Sequence, residues 1–193
     1  MIYKSLLAAS AFALIAGAAH ATEYGTDQGH TEVRFGWNHA GVSIQTAEFN
    51  EAKGLLKLDP DNPSSAALNV SIDTDSLASG FGPLDDHLKS ADFLNVEKYP
   101  EITFVSTGIE MTGEKTANVN GNLTIHGVTQ PVSLETELTH IGDHPLGSRI
   151  DYYKGKWVAF KASTEIDHMS FGVGSFSTGP ISIEIVTEMK EVQ

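Results

Sequence analysis

The sequence predicts an all-β domain, and three observations carry that reading. Apolar and polar residues alternate with a period of two over most of the chain. Short turn signals separate the alternating runs, so successive strands pair antiparallel. One stretch, 81–94, switches to helical spacing. About nine strands, each with one apolar face, close into a barrel or pack as a sandwich. No internal repeat, low-complexity tract or linker divides them.

The N-terminus precedes the fold. Lys4, the apolar run "LLAASAFALIAGAA" and the small residues of "AHA" form a secretory signal, with cleavage expected after Ala21. The run falls short of the roughly 20 residues that a membrane span needs. This divides the chain into a leader, 1–21, and one folded domain, 22–193, in a bacterial periplasm. No later segment is apolar enough for stable membrane insertion.

The elements follow in order. "TEVRFGW" puts Val33, Phe35 and Trp37 on one face, and "GVSIQTAEF" and "KGLLKLD" come next. "AALNVSID" aligns Leu68, Val70 and Ile72, and after the helical stretch "EITFVSTGI" aligns Ile102 and Phe104. "VNGNLTI" aligns Val119, Leu123 and Ile125, while "PVSLETEL" aligns Val132, Leu134 and Leu138. "KWVAFKASTEI" lines up Val158, Phe160 and Ala162, and "PISIEIV" lines up Ile181, Ile183 and Ile185. In the exception, Leu84, His87, Leu88, Ala91 and Leu94 fall on one helical stripe. Pro83 suits the start of a helix, and Asp85 and Asp86 suit its positive N-terminal end. The apolar side of this short amphipathic helix must cover something, and the open end or flank of a barrel is the natural partner.

Composition narrows the function. The formal net charge is −13, and removing a leader that carries Lys4 makes the remainder more acidic still. An acidic surface without a basic patch repels phosphate backbones, which excludes nucleic acid and disfavours an anionic lipid surface. There is no cysteine, hence neither disulfide nor thiolate chemistry. No Gly-x-Ser-x-Gly elbow exists and no local triad is visible, so no catalytic residue is assigned.

A metal site is not expected either. Asp85, Asp86 and His87 are consecutive, and successive helical side chains point about 100° apart. His140 and His144 have the H-x3-H spacing, but Gly142 and Pro145 make that segment a turn, where Asp143 is the one further donor. His87 shares a stripe with leucines and reads in two ways: a half-buried ring satisfied by its neighbours, or a polar contact inside an apolar cavity. Phe35, Trp37, Phe104 and Phe160 likewise fit a packed core or the wall of a ligand cavity. The sequons at Asn69 and Asn122 lie inside strands and read as chance matches.

Several motifs go further together. "DDHLKSADFLNVEKYPEITFVST", "VNGNLTIHGVTQPVSL" and "IDHMSFGVG" occur in order, with "GHTEVRFGWNHAGVS" and "KGLLKLD" before them. In these motifs the chain resembles the YceI-like family of periplasmic, polyisoprenoid-binding, lipocalin-like proteins, over almost all of residues 22–193. The resemblance implies an antiparallel, lipocalin-like barrel of about eight strands around a long apolar cavity. It implies a non-enzymatic carrier or store of a long-chain lipid: a polyisoprenoid, an isoprenoid quinone or a fatty-acid derivative. No cofactor other than such a lipid is implied, and homodimer formation is left open. His87, Leu88 and Phe93 correspond by motif to the family's helix beside the ligand, and Leu84, on the same stripe, is counted with them as a ligand-binding candidate. Phe35, Trp37, Phe104 and Phe160 are wall residues by strand position.

Two positions depart from the family pattern. Leu84 stands where relatives tend to have arginine, and His168 stands where an arginine often precedes the late Phe-Gly. If those arginines hold an anionic head group, a neutral quinone or amide is favoured here over a pyrophosphate, with His168 able to carry partial charge. Two other readings stand beside the carrier. One is a lipid-acting hydrolase using His87 with Asp85 or Asp86, and the other is a cavity-less β-sandwich interaction module.

Overall fold

The computed structural model describes residues 21–192, so the expected leader lies outside the described residues save for Ala21. The strands are β1 (Thr22–His39), β2 (Ser43–Phe49), β3 (Ala52–Leu58), β4 (Ala67–Asp73), β5 (Leu77–Ala78), β6 (Glu101–Met111), β7 (Thr116–Ile125), β8 (Val128–Asp143), β9 (Lys156–Ile166) and β10 (Ile181–Glu191). One helix, α1 (Gly82–Lys89), lies between β5 and β6.

All pairings are antiparallel, in the order β10-β9-β8-β7-β6-β4-β3-β1, and β1 pairs again with β10. That last pairing, from Tyr24↔Glu191 to Gly36↔Ser182, closes eight strands into a barrel and rules out the open sandwich. β2 continues the line of β3 along the upper half of β1, from Val33↔Phe49 to His39↔Ser43. The two-residue β5 pairs with β2 at Phe49 and Glu48. Closure leaves no long sheet edge unpaired around the wall among the described residues, which suits a chain without cysteine.

The alternation places its apolar faces inward as expected. From Thr129 onward β8 alternates exposed and half-buried residues, with Val132, Leu134, Thr136 and Leu138 on the inner side. The β7–β8 connection is a two-residue turn, His126-Gly127, in which both residues have positive φ (53° and 76°). Such turns match the twist of the strands they join. Asn69 and Asn122 both lie in strands.

The barrel interior divides into two zones. At the end where β1 begins, Tyr24, Leu56, Leu58, Val158 and Met189 pack together and close the floor. Above them a larger cluster of buried apolar residues, Phe49, Phe104 and Phe171 among them, surrounds an interior space. On that wall Phe104 lies over Gly121, where a Cβ would sit only 2.3 Å from the ring. Overpacking of this kind typically costs about 1–3 kcal/mol. Gly121→Ala is therefore expected to lower the unfolding free energy by that amount, read as a lower urea midpoint at an unchanged m-value, because Phe104 must leave its rotamer.

α1 is shorter than the stripe predicted. Ser90 has extended backbone, and its Oγ donates to the His87 carbonyl at 2.7 Å, so the helix stops at Lys89. Ala91 falls in the following turn and is exposed, whereas Leu88 and Leu94 pack on the upper cluster.

Candidate functional site

The upper interior is a cavity of about 430 Å³, inside the roughly 300–1,000 Å³ range of small-molecule pockets. The inward residues of the strands line it, from Gly54, Leu56 and Met189 near the floor to Trp37, Ile72 and Ile181 above. Its wall is hydrocarbon relieved by threonines such as Thr136, Thr164 and Thr187. Among the described residues, no lysine, arginine, aspartate or glutamate lines it.

The lining residues that are also exposed to solvent are His39, His87 and Phe176. His39 ends β1, His87 sits in the last turn of α1, and Phe176 belongs to the β9–β10 connection. These three segments meet at the end away from the floor, so the cavity is a blind tube with one mouth. The β1–β2 hairpin projects there, with Val42 82% exposed at its tip.

α1 reaches the mouth through local bonds. The Asp85 carboxylate accepts from the backbone N–H of Ser79 at 2.7 Å and from the Ser79 hydroxyl. Those bonds hold the Asp85 carboxyl below the usual carboxylate range. Asp85 thus ties the helix to β5 and is committed away from His87. The hydrolase arrangement of His87 oriented by Asp85 is not built, and Asp86 is exposed. His87 is itself more exposed than either sequence reading had it. Its ring packs edge-on against Phe93 at 5.0 Å and has no hydrogen-bond partner among the described residues.

His168 is the opposite case, buried with both ring nitrogens engaged by the loop. Nδ1 lies 2.7 Å from the Val173 carbonyl, and Nε2 accepts from the Thr178 backbone N–H at 3.2 Å. A carbonyl needs a donor and an N–H needs a lone pair, so the bonds select the neutral Nδ1–H tautomer. His168 pins the segment 168–178, whose Gly174 (φ 78°) lets the backbone close on Phe93.

All nine residues singled out from the sequence line this one cavity: Phe35, Trp37, Leu84, His87, Leu88, Phe93, Phe104, Phe160 and His168. Phe35 stacks on both Trp37 and Phe49, at 5.9 and 5.3 Å. Sequence reasoning missed His39, Phe171, Val173 and Phe176. The last three lie in a glycine-rich connection that reads as a turn, and only a resemblance covering "HMSFGVG" hinted at more.

Comparison with known proteins agrees with this geometry. A family model described as the YceI-like domain matches residues 24–190. The chain belongs to the YceI-like family. Protein YceI of Salmonella arizonae is 37% identical over 181 residues, covering 92% of this chain and 90% of its own. The YceI protein of Campylobacter jejuni has the same fold, with a TM-score of 0.70 at 24% identity over 81% of this chain and 90% of its own. A domain of Saccharophagus degradans described as polyisoprenoid-binding superposes with a TM-score of 0.66 at 11% identity, covering 90% of this chain and all of that one.

Proposed function

We propose that this YceI-like chain is a non-enzymatic periplasmic carrier or store of a long-chain lipid whose head group is uncharged. The observation that carries the reading is the blind apolar tube, with no charged residue in its wall among the described residues. Affinity comes from burying the chain, about 0.8 kcal/mol per methylene before the costs of binding. The head remains at the mouth beside His39 and His87, whose imidazole nitrogens are the polar side-chain atoms exposed there. An isoprenoid quinone or a fatty amide fits those groups. A pyrophosphate would meet no fixed cation, since Leu84 occupies one family arginine position and His168 is taken up by its own loop.

The test is protein exported and purified without detergent, extracted with organic solvent and analysed by mass spectrometry. A chain lipid with a neutral head at near-stoichiometric yield is expected. Extracts that hold no chain lipid, or only phosphorylated isoprenoids, overturn the reading. His87→Ala should keep its lipid to within a few-fold, because the tail supplies most of the affinity. A lipid that accumulates unprocessed only in this variant would instead point to catalysis.

A further inference from the structure

We propose that Asp27, His30 and Glu188 form a site for a divalent transition-metal ion of the zinc type on the outer wall of the barrel. Asp27 and His30 lie where the β1–β10 register breaks between Thr26 and Thr31, and Glu188 projects outward from β10 between the inward Thr187 and Met189. One donor atom from each residue lies within 4.8 Å of the other two. Zinc bound at about 2.0–2.2 Å sets tetrahedral donors roughly 3.4 Å apart, so rotamer-scale movement closes the set. The site is separate from the lipid cavity and does not rest on the reading given to it.

The surroundings are those of a prepared site. Asp27 is 8% exposed, and its Oδ1 is occupied by the Gly29 N–H at 3.1 Å and the Tyr152 hydroxyl at 2.8 Å. Oδ2 is left facing His30 Nδ1 at 2.7 Å. Outer bonds of this kind orient a ligating carboxylate. His30 is exposed and leaves a coordination position open to water.

His144 is excluded as a fourth ligand although its Nε2 lies 3.7 Å from Glu188. Its Nδ1 accepts from the Leu146 N–H at 3.1 Å, so Nε2 carries the ring proton. Coordination through Nε2 would require an imidazolate. It faces Glu188 as a donor instead, supporting that carboxylate from outside. One imidazole with two carboxylates and an open position suits zinc and its first-row neighbours better than calcium, which takes six to eight oxygens.

The full exported protein, stripped with a chelator, would be titrated with Zn²⁺ by calorimetry and with Co²⁺ by visible absorption. One equivalent should bind with micromolar or tighter affinity, and cobalt should show the intense bands of a tetrahedral site. His30→Gln and Glu188→Gln, both surface changes, should each weaken binding at least tenfold while circular dichroism stays unchanged. Absence of saturable binding below about 100 μM overturns the proposal. So does binding that both variants retain.

Discussion

Ala162→Phe should empty the barrel of lipid while leaving it folded. Ala162 is half-buried on the inner face of β9, opposite Thr136 of β8 and Ile185 of β10, midway between floor and mouth. A phenyl ring there projects into free space, so the overpacking penalty of a filled core does not apply. It takes the volume of several methylenes from the ligand. Losing about four of them forfeits about 3 kcal/mol, on the order of 100-fold in affinity. Lipid recovered from this variant should fall by more than tenfold, with a melting temperature equal to or above that of the parent. The same ring placed outward at Ser163, which is exposed, should leave the lipid content unchanged. Equal loss in both variants would mean that the cavity is not where the lipid resides.

The value of Ala162 as a test site comes from an alternation that was legible in the sequence. Period two fixed which side chains of β9 face inward, and the same holds for β8 and β10, because a one-residue slip would turn every apolar residue to solvent. Whether those faces meet in a packed core or around a space was not legible. Phe35, Phe104 and Phe160 suit both, and the difference lies in barrel closure, which no single strand encodes. Only the family resemblance favoured the cavity.

The mouth was less legible for a related reason. Its polar groups are positioned by bonds between segments distant from the strand pattern: Asp85 to Ser79, and His168 to Val173 and Thr178. Each is one side chain bonded to backbone, with no periodicity to announce it. His87 illustrates the limit, since its stripe correctly aimed it at the cavity yet gave no sense of its exposure.

The outer wall shows what alternation alone gets wrong, and it supplies the largest expected loss of stability. Placing Val158, Phe160 and Ala162 inward consigns Trp157 to solvent, yet it is 1% exposed. The connection between β8 and β9 folds back over it. Tyr153 and His144 stack on each other at 4.2 Å, and their rings lie 5.6 and 5.1 Å from the indole. The indole N–H donates to the Tyr153 carbonyl at 3.1 Å, and Lys190 Nζ sits 5.5 Å from the ring. Truncating a buried tryptophan typically costs about 3–5 kcal/mol, a large share of the roughly 5–15 kcal/mol that holds a domain together. Trp157→Ala should lower unfolding free energy by that amount in urea and expose the 144–155 connection to proteolysis before the barrel unfolds. A cost below about 1 kcal/mol would mean that the connection merely drapes over the wall. Trp157→Phe keeps most of the packing and leaves Trp37 as the sole tryptophan, so its emission should then respond to lipid at the mouth. The same connection carries Tyr152 to Asp27 across 125 residues of sequence. Trp157→Ala should therefore also weaken zinc binding at the outer site, although it touches none of the three proposed ligands directly.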